Sequence, residues 1–174
     1  SDFFFHIAGL KNIPRTGWKI KLNLQDSESV AEHSYMMSVM AMVMADLKNL
    51  NTEKILKMTI LHDWAESKIG DFMPDEITIE KKTELEEYAM TEILDELPPT
   101  IKDNYFDLWN DYKENLSNEA RFVHELDKLE MALQGKIYEK ETDPEKIKPF
   151  LISAVEKIAD DELKKILIGI LEKK

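Results

Sequence analysis

The chain contains no cysteine, which excludes a disulfide, a thiolate metal site and a thiol nucleophile. Any metal would have to be held by His, Asp and Glu. Glycine and proline are scarce, at 5 and 6 of 174 residues, and this favours helices over a turn-rich β fold. Positive charge is the minority sign: 23 Lys and Arg against 35 Asp and Glu give a formal net charge of −12. That deficit argues against binding nucleic acid through a broad basic surface. A small anionic ligand remains open, because a local metal outweighs a distant acidic surface. No apolar run is long enough to span a membrane and no signal peptide is visible, so the expectation is a cytoplasmic protein with no membrane partner.

Apolar residues make up 43% of the chain, enough to build a sizeable core, and the length suits one domain over residues 1–174. Spacing predicts a short apolar helix over 3–12 and then a loop over 13–28 that carries Arg15 and Trp18. Ser29-Val30-Ala31-Glu32 forms a capping box that opens a helix running to about Lys48, with Val30, Met36, Met37, Met40, Met44 and Leu47 on its apolar stripe. A second helix runs from Thr52 along Ile55, Met58, Leu61, Ala65 and Ile69 to Gly70, followed by a loop through Pro74. A charged helix with Tyr88 among its apolar positions covers 80–96, and another covers 101–114. Ser117 or Asn118 caps a long helix to about Glu139, with Ile137 on its stripe. Residues 140–149 read as a connector, and one or two amphipathic helices close the chain with Val155 on their apolar side. The architecture expected is an all-α, single-domain bundle of about six to eight helices with no strand.

Four polar residues lie on or beside the apolar stripes of three separate helices: His33, His62, Asp63 and Asp127. Glu66 follows Asp63 by three and His62 by four, so these side chains share one side of a helix, and Asp71 stands just past Gly70. Burying so many acids is costly unless a positive charge sits among them. Two imidazoles and two carboxylates suit a divalent ion such as Mn, Co, Fe, Ni or Mg, with about two positions left for water and substrate. The competing reading of the same residues is a set of satisfied core polar groups. His6 reads as a packing or surface residue and His124 as a neighbour of the site. Taken alone, Arg15 reads as a surface arginine and Trp18 as a cap on the core.

The order His33, His62-Asp63, Asp127 resembles the signature of the HD-domain metal-dependent phosphohydrolases. Glu28-Ser29-Val30-Ala31-Glu32-His33-Ser34, then His62-Asp63 with Glu66, Gly70-Asp71 and Pro74, resemble the 5′-deoxynucleotidase branch of that family. Glu119-Ala120-Arg121-Phe122, Leu126-Asp127-Lys128-Leu129-Glu130-Met131, Gln134 and Tyr138 fit it as well. The match covers a motif-bearing core of about 8–140, and the helices of about 145–174 carry no motif.

The resemblance implies an HD-domain helical fold and a phosphomonoesterase acting on 2′-deoxyribonucleoside 5′-monophosphates. His33, His62, Asp63 and Asp127 would bind the metal. Glu66 would direct the attacking water, and Asp71 would assist it or contact the sugar. Arg15 would bind the phosphate, which reverses its reading as a surface residue. Trp18 would pack on substrate or serve structure only, and the segment from Asp71 to Pro74 would border the sugar. Some relatives hold a second divalent ion near the positions of Glu66 and Asp71. Relatives also look like homodimers, with the first and last helices available for the contact. The rival readings are a triphosphate, cyclic-nucleotide or alarmone hydrolase of the same family, a nucleotide- or metal-binding module without turnover, and a purely structural helical protein.

Overall fold

The computed structural model describes residues 2–173, and Ser1 and Lys174 lie outside it. Ten α-helices follow in order: α1 (Asp2–Ala8), α2 (Thr16–Lys21), α3 (Val30–Leu47), α4 (Thr52–Leu61), α5 (Glu66–Ile69), α6 (Ile79–Asp95), α7 (Pro99–Glu114), α8 (Asn118–Tyr138), α9 (Pro144–Lys157) and α10 (Asp161–Glu172). A short 3-10 turn over Gly9–Asn12 continues α1. The described residues contain no strand, and Pro14 and Ser29 form an isolated antiparallel bridge.

Most helix starts have a local cause. The Ser29 hydroxyl accepts the Glu32 N–H at 3.2 Å while Glu32 Oε2 accepts the Ser29 N–H at 2.7 Å, so the predicted capping box opens α3. Asn51, Thr78, Ser117, Asp143 and Asp160 cap α4, α6, α8, α9 and α10 through their side chains. Asn115 ends α7 in the left-handed region at φ 53°. Gly70 ends α5 at φ 80°, where a residue with a Cβ would be strained.

α8 is the central element, and α3, α4, α7, α9 and α10 all pack against it. Met37, Met44, Ile55, Met58, Leu126 and Leu129 form the core between α3, α4 and α8. Each such side chain contributes about 1.5–3 kcal/mol by leaving water. A second apolar cluster joins Phe3, Leu10, Val30, Trp64, Ile93 and Trp109 beneath the α1–α6–α7 side. A third sets Trp18 against Tyr138 and Ile147.

The structure departs from the sequence expectations in several places. The segment 13–28 is not all loop, because α2 lies within it. The helix expected over Thr52–Gly70 is broken, and His62 to Asp63 fall in a tight turn between α4 and α5. In that turn Trp64 N–H bonds Leu61 O and Glu66 N–H bonds Asp63 O, each three residues back, while the His62 ring takes the Thr59 carbonyl. The connector is shorter than expected, since α9 begins at Pro144 and carries Pro149 inside it. Leu47, Tyr88, Ile137 and Val155, placed on apolar stripes by spacing, are exposed. Leu47, Ile137 and Val155 lie in the last turns of α3, α8 and α9.

Candidate metal centre and active site

The turn at 62–65 turns the two adjacent residues of the His-Asp pair toward one point. His62 Nδ1 lies 2.6 Å from the Thr59 carbonyl oxygen. A carbonyl oxygen only accepts, so Nδ1 carries the proton and Nε2 presents its lone pair. His62 Nε2 is 3.1 Å from Asp63 Oδ2. From α3, the fully buried His33 brings Nε2 to 3.9 Å from Asp63 Oδ2 and 3.2 Å from Asp127 Oδ1. Ligand atoms of His33, His62 and Asp127 all lie within 4.8 Å of one another, and Asp63 joins them through its approach to both imidazoles. Helices α3 and α8 and the turn after α4 thus bring the four residues of the signature together.

This donor set fits a cation. His33 Nε2 and Asp63 Oδ2 are buried and make no hydrogen bond, so two potential ligand atoms stand near each other without a partner. Lys128 Nζ donates to Asp127 Oδ2 at 2.7 Å, which leaves Oδ1 to face the imidazoles. Burial alone would raise the Asp63 carboxyl, but His62, His33 and Arg15 together hold it well below the usual carboxylate range. Asp127 behaves alike: Lys128, His33 and Arg15 outweigh its burial. Both acids are therefore ionised and available as ligands.

Arg15 caps the start of α2 and leans over the centre. Its guanidinium nitrogens lie 3.8 Å from Asp63 Oδ2 and 3.9 Å from Asp127 Oδ1, too far for hydrogen bonds, so the fork is not consumed by either acid. The loop that carries it is pinned from two sides. The Arg15 N–H donates to Glu28 O at 2.9 Å, and Thr16 donates its N–H to Asp71 Oδ2 and its hydroxyl to Asp71 O, each at 2.7 Å. Asp71 thus faces α2 with one of its oxygens.

Glu66, the first residue of α5, is 5% exposed, and its Oε2 has no hydrogen-bond partner. Burial, then the nearby Asp63 and Asp71, raise its carboxyl well above the usual range. Trp18 lines the cavity, yet it is buried, donates its indole N–H to Glu28 Oε1 at 2.8 Å and packs edge-on against Tyr138. Pro74 is exposed on the same cavity's wall. Of the remaining histidines, His124 stacks on Tyr112 and pairs with its carbonyl oxygen at 2.8 Å, and His6 lies 2.6 Å from Glu96.

Arg15, Trp18, His62, Asp63, Glu66, Asp71, Pro74, His124 and Asp127 line a cavity of about 690 Å³ between α2, α5, α6, α7, α8 and α9. Its size falls within the range of small-molecule sites. Its wall includes six cationic side chains, Arg15, Lys21, Lys82, Lys113, Lys128 and Lys157, against the carboxylates of Asp63, Glu66, Asp71, Glu86 and Asp127.

The sequence profile of the HD domain matches residues 7–167. The chain belongs to the HD-domain family. Among curated HD-domain relatives, the 5′-deoxynucleotidase HDDC2 of Xenopus laevis is 38% identical over 175 residues, covering 99% of this chain and 86% of that one. The human 5′-deoxynucleotidase HDDC2 is 40% identical over 163 residues, covering 92% and 79%. The PH0347 protein of Pyrococcus horikoshii superposes with a TM-score of 0.81 at 28% identity, over 97% of this chain and 96% of that one. The all-α HD fold is therefore shown from sequence and shape alike.

Sequence reasoning passed over several groups that line or brace the site. Thr59, three residues before His62, supplies the carbonyl that fixes the imidazole. Glu130, one turn after Asp127 and 1% exposed, places Oε2 2.6 Å from His33 Nδ1. Its offset of three from Asp127 was the available signal. Lys82 reaches the cavity from α6 with no local pattern to mark it, and Tyr112, at an inward-facing position of α7, lines it too.

Proposed function

We infer that this chain is a metal-dependent 5′-deoxynucleotidase, hydrolysing 2′-deoxyribonucleoside 5′-monophosphates to deoxynucleoside and phosphate. The observation that carries this reading is the convergence of His33, His62, Asp63 and Asp127, two of them with unsatisfied buried ligand atoms, beneath an arginine in a cavity of nucleotide scale. The names of the relatives support the same activity. The cationic side chains on the cavity wall suit an anionic substrate although the whole chain carries −12.

His33, His62, Asp63 and Asp127 would hold one divalent ion; Mn, Co, Fe, Ni or Mg suits these nitrogen and oxygen donors. When bound, such an ion polarises the phosphoryl oxygen and offsets negative charge that develops on it. Arg15 offers its planar fork to the phosphate oxygens. Glu66 Oε2, buried and without a partner, accepts the proton of the attacking water as that water's oxygen bonds to phosphorus and the bond to O5′ breaks, and a proton returned through solvent lets O5′ leave as the alcohol. Its raised pKa makes it a stronger base than an ordinary carboxylate. Asp71 holds the arginine loop and borders the cavity with Phe72, Met73 and Pro74, the wall proposed to face the sugar. Trp18 acts by packing and by anchoring Glu28 rather than by stacking on a base. We favour one ion over two, because Glu66 and Asp71 belong to no group of three potential ligands among the described residues. Helices α9 and α10 pack on α8, and we assign them to the same single domain. Exposed Phe4 and Phe5 on α1 favour a homodimer through that face, which light scattering would check.

Chromatography of the products tests the activity. Deoxyadenosine and inorganic phosphate from dAMP are expected. Triphosphate release from dATP, or ring opening of a cyclic nucleotide without monophosphate cleavage, would move the chain to another activity of the HD family.

A further inference from the structure

Glu130 is an expensive residue. It projects from the middle of α8 into the core, 1% exposed, between Leu129 and Met131 in the chain. A carboxylate is rarely left there without a task. One oxygen, Oε2, lies 2.6 Å from His33 Nδ1, and the other, Oε1, has no hydrogen-bond partner. No lysine or arginine pairs with it among the described residues, so the histidine is the contact that holds it.

A second acid stands beside this pair. Ligand-type atoms of Glu28, His33 and Glu130 lie within 4.8 Å of one another. Glu28 Oε1 is already committed to the Trp18 indole N–H at 2.8 Å, its backbone N–H to the Tyr138 hydroxyl at 2.8 Å, and its carbonyl to the Arg15 N–H at 2.9 Å. These bonds fix Glu28 as a strut between the arginine loop and α8, and they argue against an open second ion site there.

We propose that Glu130 is a positioning residue: by accepting the His33 Nδ1 proton it locks the imidazole with Nε2 toward the centre and sets how tightly the centre holds its divalent ion. This rests on the metal reading above. The contrast with His62 supports it. A backbone carbonyl orients that ring through Nδ1, whereas the Nδ1 of His33 faces a side-chain carboxyl group. A carboxylate behind an imidazole raises its basicity and its hold on a metal, and removing such partners typically costs 10–100-fold in affinity.

The test measures Co²⁺ affinity of the full chain, stripped by chelator and then titrated in competition with a chromophoric chelator. E130Q keeps the size and an acceptor oxygen but loses the charge, and is expected to bind Co²⁺ about 10-fold more weakly. E130L keeps neither and is expected to approach a 100-fold loss. Helicity and melting are recorded alongside, since a merely structural Glu130 would lower the melting temperature and leave affinity alone. L163V, which trims the core beneath α10, controls for that and is expected to bind as wild type does. E130Q at wild-type affinity would overturn the proposal, whether or not E130L folds. Loss of a second ion per chain, with the first bound at full strength, would overturn it too. A wild-type chain that binds no divalent ion would overturn the metal reading itself.

Discussion

The Thr16 N–H donates to Asp71 Oδ2 at 2.7 Å, across 55 residues of chain, so the acid that follows the His-Asp turn holds the start of the helix that Arg15 caps. The segment that follows the His62–Asp63 turn and the loop that carries Arg15 are thereby tied together.

Separating Arg15 from its anchor should have graded effects. R15A removes the charge-assisted hydrogen bonds to phosphate and should raise KM by about 10–100-fold. D71A removes the acceptor at the start of α2, costs about 1 kcal/mol of stability and should raise KM in the same direction by less. D71N keeps an acceptor oxygen and should fall between wild type and D71A. Steady-state kinetics with dAMP would check the order, and a D71A enzyme with unchanged KM would detach Asp71 from the arginine.

Glu66 should govern turnover. E66Q preserves size and removes the base, so kcat should fall by about 10²–10⁴-fold while the metal stays bound. The acid limb of the wild-type rate profile should lie above the ordinary carboxylate range, because burial and then Asp63 and Asp71 raise this carboxyl. Only the ionised form accepts a proton, so activity is lost as pH falls through that limb. Metal analysis of E66Q separates the roles: loss of an ion along with turnover would make Glu66 a ligand.

Glu28 should leave a mark on stability. Burial, and then its neighbour Glu130, push it up to about 7 from the ordinary 4.5. A carboxyl whose pKa rises on folding contributes stability that is full below about 4.5 and is lost as pH rises through about 7. Chelator-treated wild type should therefore lose more melting temperature between about pH 5 and pH 8 than E28Q does. Parallel curves for the two proteins would show that Glu28 ionises freely in the fold.

Much of this was legible in the chain because the relevant signals are local. Ser29 and Glu32 announce the start of α3 through a bond between neighbours. His33, His62, Asp63 and Asp127 stand out because polar residues on apolar stripes need a reason, and the resemblance to HD-domain enzymes supplied one. The break at His62 was not legible, since spacing from Ile55 to Ile69 continues as one helix and only the ring's bond to the Thr59 carbonyl shows why the turn forms there. Helix α2 was missed for a related reason: Gly17 weakens the local propensity, and the contact that steadies its first turn comes from Asp71. Trp18 reads in sequence as either a core or a substrate residue, and its bond to Glu28 depends on a fold that brings the two together. Glu130 stands in the Leu126–Met131 stretch that fits the family, but its place behind His33 depends on how α3 and α8 pack.

On this reading, a divalent ion held at His33, His62, Asp63 and Asp127 is required to cleave a deoxynucleoside monophosphate. The most direct measurement is phosphate release from dAMP and from AMP by chelator-stripped protein, before and after Mn²⁺, Co²⁺, Fe²⁺, Ni²⁺ or Mg²⁺ is returned one at a time. No release is expected from the stripped protein, with recovery on return of at least one ion and faster cleavage of dAMP than of AMP. Undiminished release after stripping, or no release with any ion, would contradict it.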